Sequence, residues 1–323
     1  MTLAVVAVQR RSEPEVAAPG RSVGLAVGGA LTRATLVPVA GTRLGAWVAA
    51  GPTDDDAIRA RLVAERERRL GRRLDIVQDF HRFPDPFPTD FDRSVVASGR
   101  TLLLSWNGTD AEAILDGRSD PLLRARARAM RGLRAPVLLR FWWEMNTTAK
   151  ARWAEPEQFV AAWRHVHQIF DEEGATNVAW VWCPTSEAFK AAGTADRYWP
   201  GADWVDWVAA DGYNFAPAVP DAAYRSFPEI FAPFYRWALR RGKPTMIAEV
   251  GVLERRPGEK AAWVDDVVPA LSARFPRIGA VVYFDTRRTV EGGVRDWRID
   301  TSPASAAAFT RLATALEAGL QMP

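Results

Sequence analysis

The chain has 323 residues, 48% of them hydrophobic, which supplies a sizeable core and excludes disorder as the dominant state. Lys and Arg total 42 against 39 Asp and Glu, and a net charge of +3 is too small to argue for nucleic acid or a membrane surface as partner. The single cysteine, Cys183, excludes an intramolecular disulfide, a cysteine zinc cage and a CxxC redox pair, and no apolar run is long enough for a convincing membrane span.

Residues 1–43 are rich in Ala, Val and Gly, are interrupted by Arg10, Arg11 and Arg21, and show neither helical nor strand period. Residues 22–40 are mostly apolar and follow that basic patch. The segment therefore reads as an export-related remnant, a disordered tail or a start-site artefact, and it is kept out of the fold.

From residue 44 onward short apolar runs alternate with segments of helical period. Residues 44–49 read as a strand, and Asp54 to Asp56 cap a helix with Ile58, Leu62, Val63 and Leu70 on one side. Residues 75–80 and 101–106 are the second and third strands. Asp120 and Pro121 open a helix that Gly132 closes, because proline suits the first helical turn and glycine the left-handed cap. Residues 136–143 form the fourth strand, followed by a helix from Glu155 and Pro156 carrying Phe159, Trp163, Val166 and Phe170, which stops before Gly174. Strands at 177–183, 204–211, 245–250 and 280–284 follow, with helices at 228–240, 259–273 and 303–316. Cys183 reads as an inert residue at the end of the fifth strand.

Eight strands alternating with helices predict an α/β fold of the (β/α)8 TIM-barrel type, one domain over residues 44–323. The competing doubly wound sheet lacks its usual signatures, since neither GxGxxG nor GxxxxGK[ST] occurs. In a barrel of this kind chemistry sits where the strands end. The fourth ends Arg140-Phe141-Trp142-Trp143-Glu144-Met145-Asn146, and alternation places Arg140, Trp142 and Glu144 on one side. The seventh ends Ala248-Glu249-Val250-Gly251. Either glutamate alone could be a salt-bridge partner; two at one end of one barrel point to paired-carboxylate chemistry. Trp47, Trp106, Trp142, Trp182 and Tyr213 also end strands, and flat aromatic faces suit the C–H faces of sugar rings. Trp163, Trp237 and Trp263 sit at core-facing helical positions instead.

Residues 140–146, the run Tyr198-Trp199-Pro200-Gly201-Ala202-Asp203-Trp204-Val205-Asp206-Trp207-Val208 leading to Asp211-Gly212-Tyr213-Asn214, and residues 248–251 together resemble glycoside hydrolase family 26, whose best-known members are endo-β-mannanases. The similarity in order runs through most of residues 44–300. It implies a retaining hydrolase of β-linked polysaccharide, foremost β-1,4-mannan, with Glu144 as acid/base, Glu249 as nucleophile and Tyr213 orienting the nucleophile. Trp297, or Tyr283 and Phe284, falls where related barrels place an aromatic floor, and Asn146 matches the Glu-x-Asn pattern. Trp143 and Thr147 stand where the family has His and Gly, which bears on the sugar.

Arg140 is expected either to stabilise the nucleophile or to pair with an acidic residue on a neighbouring strand. Trp47, His81, Trp106, Trp142, Trp143, Asn146, Trp182, Phe284 and Trp297 are the expected substrate contacts, with the loops at 83–93 and 214–228 shaping subsites. His165 and His167 are expected to be surface or packing residues. No trio of metal ligands is evident, so neither metal nor cofactor is expected. The expected partner is a polysaccharide or oligosaccharide, bound by a monomer outside the cell or in its envelope. A β-1,3/1,4-glucanase or xylanase on the same barrel is an alternative, and an inactive carbohydrate-binding or exopolysaccharide-assembly protein is the reading of another class.

Overall fold

The computed structural model describes residues 41–49, 55–191, 193–216, 218–219, 222–290 and 293–319. The expected N-terminal extension, apart from residues 41–43, lies outside the described residues.

Eight parallel strands close into a barrel: β1 (Arg43–Ala49), β2 (Ile76–His81), β3 (Thr101–Trp106), β4 (Val137–Phe141), β5 (Val178–Trp182), β6 (Trp207–Asn214), β7 (Thr245–Val252) and β8 (Ile278–Val290), with β8 pairing back onto β1. A ninth strand, β9 (Gly293–Asp296), turns antiparallel onto the extension of β8. The helices between and after them are α1 (Asp56–Leu70), α2 (Asp90–Ala97), α3 (Ala111–Leu115), α4 (Asp120–Gly132), α5 (Thr148–Ala151), α6 (Pro156–Glu172), α7 (Phe227–Leu239), α8 (Glu259–Asp265), α9 (Val267–Arg274) and α10 (Pro303–Glu317). This is the (β/α)8 barrel that the alternating pattern predicts.

Local chemistry accounts for many of the boundaries. The Asp55 side chain accepts from Ile58 N at 2.9 Å to start α1, and Gly71 ends it in the left-handed region at φ 75°. Ser226 and Glu229 form a reciprocal capping box on α7. Three details depart from the sequence reading. Gly132 is the last residue of α4, and the positive φ falls on Arg134 at 52°. The helix expected over residues 259–273 is two, because Pro269 has no N–H for the carbonyl of Asp265 and its ring crowds that carbonyl, so the chain breaks at Asp266. The loop expected at residues 83–93 contains α2, begun by a Thr89–Asp92 capping box, and its Phe87 and Phe91 are buried.

Two apolar layers follow from strand alternation. Inside the barrel Ile76, Leu103, Leu138, Ala179, Val181, Trp207, Ala209, Met246, Ala248 and Val282 form one cluster. The opposite parity, including Val77, Leu104, Leu139, Trp180, Trp182 and Val208, packs outward against the helices. A third cluster of Leu253, Phe284 and Trp297, backed by Trp47, Phe80, Tyr213 and Phe215, gathers at the C-terminal ends of the strands.

Candidate active site

The site is built on Arg140, which points from β4 into the barrel and is fully buried. Its Nη1 donates to both carboxylate oxygens of Asp211 on β6 at 2.8 Å, its Nη2 donates to Glu249 on β7, and its Nε donates to Ser105 Oγ on β3 at 2.9 Å. Gln78 on β2 reaches the same hydroxyl at 3.0 Å. Arg140 thus pairs with an acidic residue on each of two other strands, Asp211 and Glu249. Burial alone would lower its pKa, but the charges of Asp211 and Glu249 outweigh that and raise it, so the guanidinium stays charged. Burial pushes the Asp211 carboxyl well up, with Arg140 pulling it back.

Tyr213 donates its hydroxyl to the other oxygen of Glu249. Burial and then the Glu249 charge push the phenol well above its usual range, so it remains a donor. Gly251 leaves room for this arrangement: a Cβ there would lie 2.7 Å from the Trp297 ring and 2.9 Å from that of Tyr213.

Glu249 owes its direction to an irregularity. Ala210 pairs with Ile247 and Asp211 with Glu249, so Ala248 is an extra residue in β7, and the β7–β8 pairing shifts over the same stretch. Met246 and Ala248 face the interior, and the bulge turns Glu249 inward as well, where strict alternation would send it out. Glu144 has a parallel history. Trp142 and Glu144 take φ of 47° and 54°, unusual for residues with side chains, and the backbone there is held by Trp142 N to Trp106 O at 2.8 Å and Glu144 N to Cys183 O at 2.7 Å.

The Glu144 carboxyl is raised to about 7, first by burial and then by the charge of Glu249, against the opposing pull of Arg140 and Lys150. Lys150 on α5 is buried and donates to the Trp143 carbonyl and to Asn107 Oδ1, each at 2.8 Å, with its Nζ 3.8 Å from the centre of the Trp143 ring. Burial lowers its own pKa to about 8, with Glu144 pulling it back up. Cys183 donates its thiol to Asp211 at 3.1 Å. Burial, and then the Asp211 charge, push that thiol well up, which matches an inert residue.

The expected aromatic contacts divide. Trp47, Phe284 and Trp297 lie in the mouth, with Trp47 stacked on Phe284 at 4.6 Å and Phe284 5.7 Å from both Tyr213 and Trp297. Trp143 is half-buried there and meets Phe80 at 5.2 Å. Trp106, Trp142 and Trp182 do not line the mouth. Ser105 is the register partner of Arg140, so Trp106 has the parity of Phe141 and packs outward on Phe83, Phe87 and Phe170. Trp182 follows Trp180 on the outer face and stacks on Trp237 at 5.1 Å. The positive φ of Trp142 turns it outward onto Phe159, against the alternation drawn from Arg140. Tyr283 also faces outward, onto Phe309 at 4.5 Å.

Two polar expectations are corrected too. Asn146 donates to Thr185 Oγ1 at 2.7 Å and accepts from Thr185 N at 2.9 Å, so its amide clamps two loops together and is not a free sugar contact. His81 points outward between Asp79 at 3.3 Å and Asp92 at 3.0 Å. Those three residues place ligand atoms within 4.8 Å of one another, a trio that residues distant in sequence hid. Burial alone would lower the His81 pKa, but hydrogen bonds to both carboxylates and their charges raise it to about 9. Arg59 also pairs with Asp79, so these residues form an ion-pair network tying α1 and α2 to β2. Segment 83–93 accordingly packs on the outer face, with Phe83 and Phe87 against Trp106, and does not build the mouth.

Asp211, Ser105, Phe80 and Lys150 were not singled out in the sequence. Asp211 sat within the quoted motif, and the inward parity of Ser105 follows once Arg140 is placed inside.

Residues 124–263, from α4 through most of α8, match the model of glycosyl hydrolase family 26. Over that stretch the chain is similar to the family. Endoglucanase H of Acetivibrio thermocellus is 26% identical over 83% of this chain and 30% of its own length. Mannan endo-1,4-beta-mannosidase A and B of Caldalkalibacillus mannanilyticus is 28% identical over 45% of this chain and 24% of its own length. The chain thus spans less than a third of the length of these curated relatives. Among solved structures, the catalytic domain of the Bacillus sp. JAMB-750 GH26 endo-beta-1,4-mannanase superposes with a TM-score of 0.65 at 14% identity, covering 85% of this chain and 86% of the other. A Cellulomonas fimi endo-beta-1,4-mannanase double mutant gives 0.64 at 17% identity, over 88% and 74%. These likenesses corroborate the barrel.

Proposed function

We propose that the protein is a retaining glycoside hydrolase of β-linked polysaccharide, with a β-1,4-mannan backbone as first candidate, Glu144 as acid/base and Glu249 as nucleophile. The observation that carries this reading is the pair itself. One buried carboxylate is hydrogen-bonded by Arg140 and Tyr213, and its charge helps raise the facing Glu144 to about 7. Relatives named as a mannan endo-1,4-beta-mannosidase, an endoglucanase and a beta-1,3-xylanase support a β-linked glycan as the substrate class.

Glu249 attacks the anomeric carbon and forms a glycosyl ester, while protonated Glu144 gives its proton to the departing glycosidic oxygen. Esterification removes the charge of Glu249, so the pKa of Glu144 falls and it takes a proton from the water that hydrolyses the ester. Arg140 and Tyr213 keep the nucleophile's oxygens oriented throughout. A polymeric substrate agrees with work outside the cell or in its envelope, which fractionation of the source cells tests.

The activity test is a panel of mannan, mixed-linkage glucan and xylan. Mannan is expected to be cleaved with retention, and Glu249→Ala to lose at least about a thousandfold in kcat. No release from any β-linked polymer, or full activity in Glu249→Ala, refutes the assignment. Saccharide binding without turnover would instead identify a carbohydrate-binding protein.

A further inference from the structure

The extension of β8 and the short β9 carry a pair of arginines at the edge of the mouth. Arg288 and Arg295 are direct partners across the antiparallel ladder, so their side chains leave the same face side by side. Each guanidinium lies over the aromatic cluster: Arg288 is 4.8 Å from the ring centre of Trp47 and 5.0 Å from that of Phe284, and Arg295 is 5.2 Å from that of Phe215. Like charges placed directly opposite each other destabilise a ladder unless something negative lies between them. Among the described residues of the hairpin the carboxylate is that of Asp296, which is taken up elsewhere: it holds Arg298 at 2.7 Å and Arg287 at 3.9 Å. Among the described residues no carboxylate pairs with Arg288 or Arg295, and Arg295 Nε is buried with no hydrogen-bond partner.

The path from these charges to the chemistry is short. Phe284, under Arg288, is 5.7 Å from Tyr213, and Phe215, under Arg295, is 5.2 Å from it; Tyr213 holds the nucleophile Glu249. An aromatic floor with two guanidiniums at its rim, unpaired among the described residues, fits a sugar ring that bears an acid. We infer that the substrate carries a carboxylate next to the cleavage point, and that Arg288 and Arg295 bind it: the glycan is an acidic one, with uronosyl residues in or on a β-linked backbone. Arginine suits the task, because its planar fork meets a carboxylate through two parallel hydrogen bonds while its face stays on an aromatic ring. This inference rests on the hydrolase reading for its substrate, but the anion site can be tested apart from turnover.

The test compares β-1,4-mannan oligosaccharides with the same oligosaccharides oxidised at C6 to mannuronosyl units. The wild type is expected to favour the oxidised form in kcat/KM by at least about tenfold at low salt, with the preference shrinking as salt rises. Arg288→Gln and Arg295→Gln are each expected to reduce that ratio, and the double variant to bring it to about one. Calorimetry on a Glu144→Gln background reads binding of the oxidised oligosaccharide without cleavage, and the same arginine dependence is expected there. If neither sugar is cleaved but this binding depends on the two arginines, the hydrolase reading fails and the anion site stands. If neutral mannan is cleaved and the ratio is near one, or the variants weaken both sugars alike, the anion site falls and the arginines only brace the aromatic floor.

Discussion

The tryptophans form two populations that differ in which side of the strands they occupy. Outside the barrel, Trp106, Trp142, Trp163, Trp180 and Trp182 are sealed between strands and helices. At the mouth, Trp47, Phe80, Trp143 and Tyr213 are only half-buried, and they surround the ion-paired Arg140 and Glu249. The outer set does its work by filling volume, where every ring atom has neighbours and removal leaves a void. The mouth set keeps part of its ring surface exposed and so can meet a ligand. Trp47 and Trp143 share residue type and strand-end position with Trp106, Trp142 and Trp182, so neither property distinguishes a platform from a packing residue.

The strongest challenge to that division is Trp182→Ala. It removes a ring stacked on Trp237 and an indole donor to Tyr198 O at 2.9 Å, and it should cost about 3–5 kcal/mol of stability in denaturant unfolding. The kcat/KM of the remaining folded protein should change little; a large loss of turnover with intact stability would place Trp182 in the site after all.

His81 belongs to the outer set. Its pKa is raised to about 9, so the stability from its ion pairs should be complete below the ordinary histidine value near 6.5 and disappear as pH rises through about 9, an effect on the order of 2 kcal/mol. Unfolding of His81→Gln should lack this dependence. A wild-type profile that is flat between those pH values would show that the imidazole is neutral.

Trp47→Ala tests the mouth set. It should raise KM about tenfold, or about 1.4 kcal/mol, with a smaller change in stability than Trp182→Ala. The reverse ranking would erase the distinction between the two regions.

The smallest effect concerns protons. With Glu144 raised to about 7, kcat/KM should fall as pH climbs through that value, because the acid loses the proton it must donate. The positive charge of Lys150 lowers the Glu144 pKa, so Lys150→Met should move this limb upward by about half a unit. An unmoved limb would limit Lys150 to packing beneath Trp143.

Much of the architecture was legible because parallel strands covered on both faces read as nearly continuous apolar runs, and helix starts carry their own signals, as the cap at Asp55 and the proline in the first turn at Asp120–Pro121 do. The two glutamates and Tyr213 were legible for a related reason: a polar residue ending an apolar run stands out. The aromatic contacts were not, because choosing a face needs an origin for the alternation. Once Arg140 is inside, Ser105 is inside with it and Trp106 is out. The trio of Asp79, His81 and Asp92 was hidden because a strand and a following helix supply it, and only packing brings them together.

By itself the sequence determined the order of strands and helices, the positions of the two carboxyl groups along the chain, and the absence of an intramolecular disulfide, all of which depend on residue type and spacing. Only the tertiary structure decided which way those carboxyl groups face. Glu249 is turned inward by an extra residue in β7, and Glu144 sits in a segment where Trp142 and Glu144 adopt positive φ, held by hydrogen bonds from neighbouring strands. A period of two cannot anticipate its own interruption, because the energy that sustains a bulge or a left-handed residue comes from contacts with strands far away in the chain.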